Sequence, residues 1–443
     1  MTITTSDQTH KLSRGTDRTA AWRVSNEVPV RLALKSIWAV ADQALFALSN
    51  FVLSLLLARW LSPQGYGAFG VAFSIFLFLG VLHAAFFTEP MLVHGASDQY
   101  RHEFGGYLQV LLKAHLRFSV IATMALLTVA LGLVLLDLPA LSRSLIGLAF
   151  MSPLALFLLL TRRACYALLV PRLAASGGAV YMIIMMSGMA ILNGREWLSP
   201  ETAFGVMGIG SLVSGAWLLD RVLANSGSHE HVSGLRILQA HLQYGRWAAP
   251  SSILSWATGS TPFLLLPLWG GLEAVGALKA LMNLLMPVLH AIGALSVLLV
   301  PGLVRRRQTD DFGRFAKLAL ALFLVGGTIY SILLMLFAGP LLNWMYDGKY
   351  DAVARWLPLL ALLLVPSSVS AAFGAALRAA DRPDLVFRAY AGSAVTALLM
   401  AVPLLRNGGL GGAVLLTLIT SVVTASILLL AGYREITCWH GRS

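Results

Sequence analysis

The sequence predicts an all-α polytopic membrane protein with about twelve transmembrane helices in two parallel six-helix lobes. Three observations predict it. Of the 443 residues, 58% are hydrophobic and only 12% are charged, with a mean hydropathy of +0.77; a soluble chain carries about twice that charged fraction. The apolar residues fall into runs of roughly twenty, each long enough to cross about 30 Å of hydrocarbon as a helix. Helices satisfy their own backbone groups inside lipid, and no ten-residue alternation of the barrel type is seen. The chain also repeats itself at a period near half its length.

Spans are expected near 36–60, 66–88, 113–136, 144–165, 173–192 and 202–222, and then near 246–269, 273–303, 314–338, 355–378, 385–405 and 410–433. Turn signals separate many of them: Ser62-Pro63-Gln64-Gly65, Asp137-Leu138-Pro139, Gly270-Gly271 and Asn407-Gly408-Gly409. The resulting division is a basic tail (1–35), an N-lobe (36–223), an inter-lobe linker (224–245), a C-lobe (246–433) and a short tail (434–443). No signal-peptide cleavage site precedes the first apolar run, which reads as a retained helix.

Loop charge orients the chain. With the N-terminus inside, 25 of the 32 Lys and Arg fall on the cytoplasmic side, among them Arg162, Arg163, Arg172, Arg305, Arg306, Arg307, Arg378, Arg382 and Arg388. Seven fall outside: Arg59, Arg143, Arg195, Lys279, Lys349, Arg355 and Arg406. That bias implies an even number of spans with both termini cytoplasmic. It also accounts for the net charge of +12 without a nucleic-acid partner.

The repeat has three markers. Trp60 and Trp269 are each followed seven residues later by Gly-Ala (Gly67-Ala68 and Gly276-Ala277). Glu103-Phe104-Gly105-Gly106-Tyr107 matches Asp311-Phe312-Gly313-Arg314-Phe315, and Pro171 matches Pro383; the offsets are 209, 208 and 212 residues. Six spans separate the copies, so both halves cross in the same orientation, as in transporters whose halves are related by an axis along the membrane normal.

Span eight holds the most informative polar residues. At about 100° per residue, Lys279, Asn283 and His290 lie on one face together with Met286. A charged Lys in a span faces a wet cavity or snorkels to the surface, and its position two turns from the outer end allows either. His290 lies deeper, where it meets a substrate path or a neighbouring helix. On span one, Asp42, Phe46, Ser49 and Leu53 share a face; their repeat mates Ser251, Ser255, Thr258 and Pro262 share one on span seven. Polar groups at equivalent places suit a lumen, with helix–helix hydrogen bonding as the alternative. Asp42 reads as a cation or proton site or as an interfacial group.

Other candidates point to structure. Lys113 and Arg117 fit snorkelling toward lipid phosphate. The Ser367, Ala371, Ala375, Ala379 stripe fits close helix packing. Pro153, Pro262, Pro287, Pro366 and Pro403 are kink positions. Cys165 and Cys438 form no disulfide framework, and His229 and His231 stand too isolated for a metal. Gly348-Lys349 lacks the rest of a phosphate-binding loop, and no nucleophile elbow occurs, so neither ATP hydrolysis, enzyme activity nor a cofactor is expected.

Two stretches carry a resemblance. Ala41-Asp42-Gln43-Ala44 with Leu57-Ala58-Arg59-Trp60-Leu61-Ser62-Pro63-Gln64-Gly65-Tyr66-Gly67, and Pro287 and Pro301 followed by Gly302-Leu303-Val304-Arg305, resemble the O-antigen (Wzx-like) flippases of the multidrug/oligosaccharidyl-lipid/polysaccharide exporter superfamily. The resemblance implies a central cavity lined by helices one, two, seven and eight, alternating access, and a substrate carried on a polyprenyl diphosphate. That substrate would be an O-antigen or exopolysaccharide repeat unit crossing the bacterial cytoplasmic (inner) membrane. Membrane lipids, a polysaccharide polymerase and glycosyltransferases would be the partners. In such flippases a basic residue on the eighth helix meets the diphosphate; alignment on Pro287 places it at Met282, one turn from Lys279. Two rivals remain open. A drug or cation antiporter needs a deep carboxylate, whereas Asp42, Glu89, Asp137, Asp220 and Glu273 lie near span ends. A membrane glycan ligase or glycosyltransferase needs a long external loop, and the longest here spans 339–354.

Overall fold

The computed structural model describes residues 18–95, 97, 100, 102–226, 232–306 and 311–439, with side chains from 37 to 434 except 297 and 298. His229, His231, Arg307 and the first part of the basic tail lie outside the described residues, as does the Cys438 side chain. Among the described residues every regular element is a helix. The protein is a multi-pass membrane protein. Among the described residues, ten helices are long and apolar enough to cross a membrane.

Two features reconcile ten helices with the expected twelve spans. The helix Pro383–Trp439 has 57 residues, about 85 Å if straight, and it breaks at Gly409 (φ 49°, ψ −124°) into spans eleven and twelve. The helix Gly234–Leu265 has 32 residues and is long enough. Its Ser251, Ser252, Ser255, Thr258, Ser260 and Thr261 make it too polar to pass on hydropathy. The polarity that marks span seven as a candidate site is what hides it as a span.

Several boundaries differ from the sequence expectation, each for a packing reason. Span one extends back to Arg18, inside the expected tail. Span three begins at Phe104, not near 113, because Phe104, Tyr107, Leu108 and Leu111 are buried and prolong the helix. Span seven begins at Gly234, not 246: Ile237, His241, Gly245 and Ala249 bury one face at four-residue spacing, so half of the expected linker is helix. Span two starts at Pro63, where Ser62 caps the helix by accepting a hydrogen bond from the Gly65 N–H at 3.1 Å. It ends in two π-helical stretches, Ala84–Thr88 and Met91–Gly95, on either side of Pro90. Proline removes a donor from the ladder, and wider turns absorb the mismatch. The last helix continues to Trp439, through most of the expected tail.

Three hairpins share one stop signal. Asp137, Leu169 and Asp381 take positive φ (57°, 58° and 62°), each two residues before a proline. The left-handed residue closes the helix, and the proline opens the next one. Leu169 and Asp381 are 212 residues apart, which extends the Pro171/Pro383 repeat into backbone conformation.

The halves meet where the repeat says they are equivalent. A Cβ on Gly67 would overlap the carbonyl oxygen of Leu272, and a Cβ on Gly276 would overlap that of Pro63. Each glycine thus faces the backbone one turn before the other, and 63/272 and 67/276 are both 209 apart. Spans two and eight cross here at backbone contact, a distance only glycine permits. Gly67→Ala and Gly276→Ala should each destabilise the protein by roughly 3 kcal/mol or more, because backbone cannot yield as a side chain does. Gly80→Ala, where a Cβ meets nothing within 4 Å, should leave the thermal midpoint in detergent unchanged or higher.

Candidate functional site

One helical turn past the glycine crossing, Lys279 projects from span eight onto span two. Gly70, its repeat mate, leaves room for the stem: a Cβ there would lie 3.0 Å from Lys279 Cδ. Tyr66, Phe69 and Phe73 recur at spacings of three and four and so line one face of span two. The Lys279 ammonium sits 4.8 Å from the Phe73 ring centre, 5.6 Å from Phe69 and 5.9 Å from Tyr66. Among the described residues no carboxylate pairs with it.

Asn283 lies one turn further and is 3% exposed, so it is a buried tie and not a residue lining an open path. Its Oδ1 accepts from Ser54 on span one at 2.8 Å, and its Nδ2 donates to the Tyr66 hydroxyl at 2.8 Å and the Tyr346 hydroxyl at 3.4 Å. Ser54 and Tyr66 also bond each other at 2.8 Å, and Tyr346 donates to Ala280 O at 3.0 Å. Four polar side chains from four elements satisfy one another, the condition for burying them without penalty.

The same end carries a second tie. After the short helix Ala338–Tyr346, Asp347 takes a left-handed φ of 53°. It receives a bidentate pair from Arg59, at 2.7 Å and 2.6 Å. Lys349 donates to the carbonyls of Arg59 and Leu61, which close span one. Burial holds the Tyr346 and Tyr350 hydroxyls above the ordinary tyrosine range, so both remain neutral. Burial also draws Lys349 below its usual value, against the pull of Asp347.

Toward the opposite end, spans one and eight present exposed faces. Val40, Gln43, Ala44 and Leu48 are exposed on one; His290, Ala291, Gly293, Ala294 and Leu295 on the other. His290 is therefore exposed and well separated from Lys279 along the helix, eleven residues or about 16 Å. Ser255 is exposed and Thr258 half-buried, its hydroxyl bonded to Leu254 O in its own helix. Span seven instead reaches span two through Trp256, whose indole N–H donates to Ser74 O at 2.9 Å.

Asp42 departs from its expected role. It is fully buried, with Arg162 Nη2 donating at 2.8 Å and Tyr166 Oη at 2.6 Å. Ser49 is also fully buried, its hydroxyl on Leu45 O. This face of span one packs into its own half, against spans four and five. Arg162, counted among the loop cations, is 5% exposed inside the helix Pro139–Ala167. The signals were there: an acid within a span, and Arg162-x-x-x-Tyr166 on one helical face. A second buried polar set escaped the sequence reading altogether. His83 Nε2 and His115 Nδ1 share a hydrogen bond of 3.1 Å between spans two and three. His241 joins Tyr107 Oη at 2.6 Å and Phe86 O at 2.8 Å.

The fold is that of known transporters. An inward-facing multidrug resistance MATE family transporter of the MOP superfamily matches with a TM-score of 0.76 at 14% identity, over 91% of this chain and 99% of that one. An outward-facing one matches at 0.65 and 16%, over 94% and 96%. The lipid II flippase MurJ, in an inward closed conformation, matches at 0.62 and 12%, over 91% and 90%. No family model and no curated protein matches the sequence.

The Asp42–Arg162 pair makes a direct prediction. Asp42→Asn or Arg162→Met strands one charge in the bundle and should cost about 3–5 kcal/mol. The double variant Asp42→Leu/Arg162→Met removes both charges and should recover most of that loss, as read from denaturation midpoints in detergent.

Proposed function

We propose that the protein is a flippase that carries an anionic, lipid-linked sugar headgroup across the bacterial cytoplasmic membrane by alternating access. Its cargo in this reading is a polyprenyl-diphosphate-linked oligosaccharide, an O-antigen or exopolysaccharide repeat unit. Glycosyltransferases would supply it and a polymerase would consume it. The observation that carries the reading is Lys279: a cation held at the junction of the two halves with no counter-ion among the described residues. A diphosphate supplies the missing anion, and phosphate–ammonium hydrogen bonds are among the stronger polar contacts.

Three further features support it. The two six-span halves are tied at the Arg59–Asp347 end by side-chain bonds, whereas spans one and eight are exposed toward the other. With both termini cytoplasmic, as loop charge implies, the exposed end faces the cytoplasm, where such lipids are assembled. A protein described as a lipid II flippase shares the fold. The antiporter reading needs an unpaired buried carboxylate, and Asp42 is already neutralised by Arg162.

Deletion should cause lipid-linked repeat units to accumulate on the cytoplasmic face. Complementation with Lys279→Ala should restore transport only to between about a tenth and a hundredth of the wild-type rate, and Lys279→Arg should restore more. Normal transport by Lys279→Ala removes Lys279 from the mechanism, and no accumulation on deletion removes the substrate class.

A further inference from the structure

We propose that the Tyr66–Phe69–Phe73 face of span two is a resting site for the Lys279 ammonium, off which an incoming phosphate group must draw it, so that anion binding and loosening of the junction between the halves are one event. This rests on Lys279 being the anion site.

The geometry carries the proposal. All three ring centres lie within 6 Å of the ammonium, with Phe73 closest at 4.8 Å. The electron-rich ring faces attract a cation, weakly when wet and more strongly when desolvated. The aromatic row is stiff: Phe69 stacks on Phe73 at 5.6 Å, on Tyr66 at 6.4 Å and on Phe204 of span six at 4.7 Å. Tyr66 is further fixed by Ser54 and Asn283. The lysine, with four rotatable bonds and the space above Gly70, is the element that moves.

Ring faces attract the ammonium but accept no full hydrogen bond from it. Its donors are therefore available to an anion at the cost of leaving the rings. The lysine belongs to one half and the rings to the other, so the resting contact bridges the halves. A ligand that captures Lys279 removes that bridge beside the Asn283 network.

The test is calorimetric titration of the full-length protein in nanodiscs with inorganic pyrophosphate and, separately, farnesyl diphosphate. Phe73→Leu weakens the resting site and should tighten pyrophosphate binding about threefold to thirtyfold. Phe73→Trp strengthens it and should weaken binding, a reversal that a general loss of packing does not produce. Lys279→Met should abolish binding in every background. If Lys279→Met abolishes binding but the two Phe73 variants leave it unchanged or shift it the same way, the resting site is wrong and the flippase reading stands. If Lys279→Met binds as well as wild type, the anion site itself is wrong. Farnesyl diphosphate binding more tightly than pyrophosphate supports a lipid source for the anion; equal affinity with the predicted reversal supports the resting site for phosphate in general.

Discussion

The close crossing of spans two and eight at Gly67 and Gly276 is the constraint on which the rest of the structure depends. Each glycine lies against backbone of the other half, one turn before its repeat mate. Backbone contact without side chains fixes where the halves touch. Because it sits at equivalent positions in a 209-residue repeat, it falls on the axis that relates them. Everything assigned to function is within a few turns of it. Lys279 is 209 residues beyond Gly70 and lies over it. Asn283, one turn on, ties spans one, two and eight to the hairpin after span nine.

The two cations set among the helices, Arg162 and Lys279, have opposite fates. Arg162 is consumed by structure: the buried carboxylate of Asp42, itself held by the Tyr166 hydroxyl, neutralises it inside one half. Lys279 lies between halves with aromatic rings and, among the described residues, no carboxylate. Burying a charge is expensive unless it is paired, so a pair formed within one half persists as the halves move. A cation left to ring faces at the junction retains its capacity for an anionic ligand. That contrast, and not the overall basicity of the chain, is the basis for reading the cargo as anionic.

The fold was legible because its causes are local and periodic. Apolar runs, the proline stops at Pro139, Pro171 and Pro383, and the Gly-Ala markers of the repeat can each be read in a window of a few residues. Helix starts were less legible: Phe104 and Gly234 begin helices because of partners far away in the chain. The site was legible in part. Lys279 and Asn283 stood out as polar residues on one face of an apolar helix, but periodicity cannot tell a face that lines a path from a face that is tied shut. Asp42 was noticed, yet its partner Arg162 is 120 residues away and reads locally as a loop cation. The Tyr66, Phe69, Phe73 row was not legible as part of the site, since nothing in its own sequence says that a lysine lies over it.

For the protein to act as the proposed flippase, its two halves must rock about the glycine crossing, with one end opening as the other closes. Double electron–electron resonance measures this directly. One spin-label pair would replace Leu48 and Leu295, both exposed and away from the Arg59–Asp347 tie; the other would replace Trp197 and Trp344, both exposed at the tied end. On adding a polyprenyl-diphosphate-linked glycan, the account predicts that the Leu48–Leu295 distance shortens while the Trp197–Trp344 distance lengthens. Distances that change in the same sense, or that stay fixed while transport proceeds, would contradict it.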